Sequence, residues 1–173
     1  MVIGFDIGTV RCGVAILRSN GSIEGYVCSW EVLRDRLEAM VGEGEGEMWA
    51  VVEVPQPYGM SPLSVFQMAL LCGIIIEKWR NRYGDNICLI PRPVVRAYAC
   101  GSVRAKDKDV KAWVVDCMRA KWGVDEREVQ RRLNKVGVRA DAWQALGLAL
   151  VFQQFRDELL SHASVVSWTK MIK

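Results

Sequence analysis

Apolar positions along the chain change period several times, and each change marks an element. Val2–Ile7 is a β-type apolar run closed by Gly8, and Cys12–Leu17 is a second, closed by the turn residues Ser19-Asn20-Gly21-Ser22. Ser22–Trp30 alternates well enough for a third strand, so the chain opens as an antiparallel meander. Glu31–Val41 places Val32, Leu33, Leu37 and Met40 on one helical face, and the Gly/Glu stretch Gly42–Glu47 reads as a loop. Met48–Val54 is almost uninterruptedly apolar and suits a strand buried on both faces. Pro55-Gln56-Pro57-Tyr58-Gly59 is irregular, because proline cannot donate to a ladder. A long helix runs from Ser61-Pro62 to about Tyr83, where Gly84-Asp85-Asn86 stops it. Ile87–Ile90 is a fifth strand and Val94–Ala99 a short helix. Gly101–Lys108 reads as a polar, basic loop, followed by helices over Asp109–Trp122, Asp125–Lys135 and Asp141–Leu160. The order predicts an α/β fold: a five-stranded mixed sheet with helices on both faces, in one domain spanning residues 1–173 with no dividing linker.

The 173 residues, half apolar and a quarter charged, suffice for one sizeable core. The densest apolar run, Val65–Ile76, contains Gln67 and predicts a buried helix, so no membrane partner is expected. The start lacks the basic, apolar pattern of a signal peptide. Cys12, Cys28, Cys72, Cys88, Cys100 and Cys117 form no C-x-x-C pair, and the single histidine, His162, has no cysteine nearby. That pattern predicts small core residues in a reducing, intracellular setting and no zinc site. Charge is uneven: Arg92–Arg139 holds 13 Lys/Arg against 6 Asp/Glu, a balance of +7, while the remainder is at −4. A basic segment on an otherwise acidic chain suits a polyanionic partner; solvated helix faces would give the same pattern.

Two acids occur where strands should have none: Asp6 within Val-Ile-Gly-Phe-Asp-Ile-Gly and Glu53 within Trp-Ala-Val-Val-Glu-Val. Burying an unpaired carboxylate is expensive, so each needs a partner or a cation. Alone, Asp6 could be a turn former before Gly8, and Glu53 a strand-end acid paired with an arginine. On adjacent strands they could face each other across a hard cation, which takes oxygen ligands. Asp141 opens the last helix with Gln144 three residues on. This spacing fits a capping box and equally a ligand on a rigid element. Gly8 and Gly13 permit close backbone approach, to a metal-bound phosphate or simply in a tight turn.

The stretch from Ile3 to Ala15, with a strand aspartate, a glycine two residues on and a second glycine before the next strand, resembles the opening of RuvC-type Holliday junction resolvases. Val51-Val-Glu-Val-Pro55 is similar to the second acidic strand of that family. Val95–Gly101 with Arg104, Lys106 and Lys108 is similar to its basic stretch, and Asp141–Leu150 to the start of its last helix. The resemblance implies an RNase H-like fold, a homodimer, Mg²⁺ dependence with Mn²⁺ as substitute, and paired nicking of four-way DNA junctions. It implies Asp6, Glu53 and Asp141 as metal ligands, Asp6 between two ions. Lys106 or Lys108, with Lys108 preferred here, would act in cleavage, and Arg96, Arg104, Lys106 and Lys108 would contact DNA. Tyr58 is the candidate for stacking on a base, or for covering the helix below it. The family usually carries a further acid where this chain has Gln144, an amide that can ligate through oxygen but adds no charge.

Two other readings remain open. One is a junction-binding protein of the same fold whose site Gln144 has weakened. The other is an ATPase of the actin or sugar-kinase type, whose phosphate hairpin resembles Asp6-Ile-Gly-Thr9; such proteins clamp the nucleotide between two domains, and this chain has room for one.

Overall fold

The computed structural model describes residues 1–37, 46–54 and 60–162, together with the backbone of Val166–Ser167. Strands β1 (Val2–Ile7), β2 (Cys12–Leu17) and β3 (Ile23–Cys28) form the expected meander, followed by α1 (Trp30–Arg36), β4 (Trp49–Val54), α2 (Pro62–Tyr83) and β5 (Ile87–Pro91). Helices α3 (Arg92–Cys100), α4 (Asp107–Trp122), α5 (Glu126–Lys135) and α6 (Ala142–Ser161) follow. A two-residue strand β6 (Val166–Ser167), not anticipated from sequence, closes the sheet in the order β3-β2-β1-β4-β5-β6. β1, β4 and β5 are mutually parallel, and β2, β3 and β6 are antiparallel to their neighbours.

Strand alternation divides the core in two. Ile3, Phe5 and Ile7 of β1 join Ala50 and Val52 of β4 under α1 and α2, where Leu33, Ile75 and Trp79 complete the layer. Trp49 and Val51 of β4 face the other way, against α3, α4, α5 and α6. Because side chains along a strand alternate in direction, Asp6 and Glu53 belong to this second face. Helix α6 lies on it directly above β1 and β2. It can do so because β1 and β2 present Gly4 and Gly13 there: a Cβ at Gly4 would overlap the carbonyl oxygen of Ala145, and one at Gly13 that of Asp141.

Several expectations change. The short third helix begins at Arg92 instead of Val94, because Pro93 suits the first turn of a helix, and it ends at the left-handed Gly101 (φ 70°). The basic loop is shorter than expected: α4 already begins at Asp107, where the Asp109 carboxylate accepts from the Lys106 N–H at 2.7 Å. The last four residues of the helix expected over Glu31–Val41 fall outside the described residues. The helix over Val65–Ile76 is not buried as expected. Only Cys72, Ile75, Ile76 and Trp79 of α2 are enclosed, while Leu63, Phe66 and Leu70 are more than half exposed. By length and composition α2 would also suffice to cross a bilayer, but here one of its faces packs on the sheet.

Candidate active site

The register of β1 on β4 runs Gly4↔Val51, Phe5↔Val52, so its next step sets Asp6 beside Glu53. Both lie at the carboxyl ends of parallel strands, where an open α/β sheet gathers its ligands. Asp6 is 9% exposed and Glu53 8%; they are the buried charged residues among those described. The expected adjacency of the two acids is therefore observed. Asp141 reaches the same place from above, because the Gly13 contact seats the start of α6 over the end of the hairpin. The three acids line one cavity of about 590 Å³, together with Gly8, Thr9, Arg11, Met60, Met68, Arg92 and Arg96.

Of the two readings left open for Asp141, the capping box does not form. Asp141 has helical backbone angles (φ −66°, ψ −20°) and its side chain accepts no cap hydrogen bond. A capping carboxylate needs an extended backbone to fold back on the first turn. The Asp141 carboxylate instead faces Arg11, with Nε–Oδ2 at 3.5 Å. Gln144 does not reach back either: its Nε2 points to the backbone carbonyl of Asp107 at 3.5 Å, and it does not line the cavity.

Arg92 is the residue that the sequence did not single out. Its Nε donates to Glu53 Oε1 at 2.6 Å and its Nη2 to Asp6 Oδ1 at 3.3 Å, and Nη1 stands 3.7 Å from Asp107 Oδ2. Arg96 holds the other oxygen of Asp107, with Nη2–Oδ1 at 2.7 Å. Glu53 is thus both things considered for it, an acid paired with an arginine and a neighbour of Asp6. One guanidinium does not neutralise this cluster. Burial pushes the Asp6 carboxyl up to about 7, with the charge of Glu53 adding to the effect and Arg92 opposing it. Burial also pushes Glu53 upward, against the pull of Arg92.

Gly8 and Gly13 serve different ends. Gly8 donates to the Arg11 carbonyl at 3.0 Å in the hairpin turn, whereas Gly13 admits α6. Arg104, Lys106 and Lys108 are exposed between α3 and the first turn of α4, on either side of Asp107, and none lines the cavity. Tyr58 lies outside the described residues.

The donor set fits a hard divalent cation. Asp6, Glu53 and Asp141 offer only oxygen, and two of the three are nine-tenths buried. As arranged here, no three acidic, imidazole or thiol groups among the described residues converge on one point. The place between Asp6 and Glu53 is held by Arg92.

No family model and no curated protein matches the chain. Solved structures do. The Thermus thermophilus RuvC structure superposes with a TM-score of 0.63 at 15% identity, over 91% of this chain and 95% of that one. T. thermophilus RuvC in complex with Holliday junction substrate gives 0.64 at 15% identity, over 91% and 94%. At this identity the likeness establishes the fold: a RuvC-like, RNase H-like α/β architecture.

Proposed function

We propose that this chain is a metal-dependent endodeoxyribonuclease that cuts branched DNA, four-way junctions above all, at the Asp6–Glu53–Asp141 cavity. One observation carries the reading. Two carboxylates are buried side by side at adjacent parallel strand ends, and a third lines the same cavity from the start of a helix packed on glycine. Such a cluster is costly unless a cation compensates it, and hydrolysis of a phosphodiester is the chemistry that uses one there. The choice of substrate draws on the solved neighbour bound to a Holliday junction and on the basic stretch beside the cavity.

In this reading Asp6, Glu53 and Asp141 would hold Mg²⁺ or Mn²⁺, with Gln144 outside the inner set. A divalent ion supplies positive charge to the scissile phosphate and an activated water at neutral pH. The chain's own residues do the rest. The strand ends fix Asp6 and Glu53 at one depth, and Met60 and Met68 add an apolar side to the cavity. Arg11 and Arg96 stand at the cavity as phosphate contacts, and Arg104, Lys106 and Lys108 extend the positive surface along the backbone of the DNA.

We further propose that two copies pair through α2. Leu63, Phe66 and Leu70 lie three and four residues apart on its outer side, and Phe66 and Leu70 border a shallow groove with Ala69, Gly73 and Ile74. A pair would present two cavities, as symmetric nicking requires.

A second reading, a junction-binding protein without nuclease activity, is favoured by the hold of Arg92 on both acids. The discriminating experiment incubates a labelled four-way junction and a linear duplex with Mg²⁺, with Mn²⁺ and with EDTA. Symmetric, metal-dependent cuts in the junction alone support the nuclease. A junction bound but uncut with either metal supports the second reading.

A further inference from the structure

We propose that Arg92 is an internal cation that competes with the divalent ion for Asp6 and Glu53, and that Asp107 is the acid that takes Arg92 over when the ion enters. The inference rests on reading the cavity as a divalent-cation site.

The geometry supplies both positions of the switch. In the first, the guanidinium lies across Glu53 (2.6 Å) and Asp6 (3.3 Å), a fork that reads both carboxylates at once. It takes up an oxygen from each of the two acids that would be the innermost ligands. The second position adjoins it, since Arg92 Nη1 already stands 3.7 Å from Asp107 Oδ2. There Asp107 turns Oδ2 toward Arg92 Nη1, while Arg96 occupies Oδ1. Asp107 is therefore already anchored and still has one oxygen for a second guanidinium.

The route between them is open. The Arg92 side chain is 34% exposed, against 12% for Asp6 and 10% for Glu53, so it can move while the acids stay fixed. Its backbone is held at the first turn of α3 between Pro91 and Pro93, so the movement is confined to the side chain. The exchange replaces one unit charge beside two acids with a double charge, and it leaves no guanidinium without a partner. It also explains why Asp107, half-exposed in a segment otherwise basic, points inward.

The test is calorimetric titration of the intact protein with Mn²⁺, in wild type and in Arg92→Met, Arg92→Lys, Asp107→Asn and the double variant, with Asp6→Asn as control. Removing the competitor should tighten Mn²⁺ binding by roughly 10- to 100-fold in Arg92→Met, since a charge-assisted fork is given up for each ion bound. Arg92→Lys, which keeps a cation but loses the fork and guards against a folding failure, should fall between. Asp107→Asn should weaken binding in the wild-type background and leave it unchanged in Arg92→Met, because Asp107 acts only through Arg92. Equal affinity in wild type and Arg92→Met, with Asp6→Asn abolishing binding, would overturn the exchange and leave the metal site standing. An Asp107→Asn loss that persists without Arg92 would also overturn it. No binding in wild type, Arg92→Met or Arg92→Lys would refute the metal site itself.

Discussion

Replacing Asp6 by Asn should stabilise the metal-free protein at alkaline pH while removing its function. The carboxyl is raised from 3.8 to about 7 in the folded chain, chiefly by burial. Between these values the folded state keeps a proton that the unfolded state has released, so stability falls as pH rises from about 4 to about 7 and is flat on either side. Three units correspond to about 4 kcal/mol over the whole window, of which about 3 kcal/mol lies between pH 5 and pH 8. The amide of the variant carries no such proton. The pull of Arg92 on the ionised carboxylate is already contained in the value of about 7, so its loss in the variant adds nothing further. The measurement is urea denaturation of wild type and Asp6→Asn in EDTA at both pH values. Relative to the variant, wild type should lose about 2–3 kcal/mol on going from pH 5 to pH 8, and saturating Mn²⁺ should restore wild type alone. A difference that stays constant with pH would refute the argument, because Asp6 would then be ionised throughout and satisfied by Arg92.

Gly13→Ala should cost about 1–3 kcal/mol, as overpacking does, and should also weaken Mn²⁺ binding, since the new methyl displaces the Asp141 backbone; denaturation and calorimetry read the two effects. Phe66→Glu with Leu70→Glu should leave monomer stability within about 0.5 kcal/mol, because both side chains are largely exposed, and should abolish the dimer in sedimentation. Lys108→Ala and Arg104→Ala should each weaken binding to junction and duplex alike and lower the salt-dependence slope by about 1, as loss of one phosphate contact does.

The strands and the pair of buried acids were legible in the sequence because their signal is local. A charge inside an apolar run stands out, and the meander followed by a crossover puts β1 beside β4. Arg92 was not legible, since its partners lie 39 and 86 residues away in the chain and no local pattern links them. Its position between two prolines at the end of a parallel strand was the available clue. Asp107 was hidden by its neighbours Lys106 and Lys108 and by a helix start placed two residues late. The capping box at Asp141 had the right spacing, but the preceding turn holds Ala140 at φ 42° and delivers Asp141 already helical, which turns its carboxylate away from the first turn. The exposed side of α2 was misread because a helix apolar on most sides gives no period that separates core from surface.

Anomalous diffraction from crystals soaked in Mn²⁺ tests the central claim most directly. The account predicts a peak within coordinating distance, about 2–2.5 Å, of carboxylate oxygens from Asp6 and Glu53, with Asp141 turned toward it and the Arg92 guanidinium moved off Glu53. Arg92 still bridging Asp6 and Glu53, with no peak between them at saturating Mn²⁺, would contradict it.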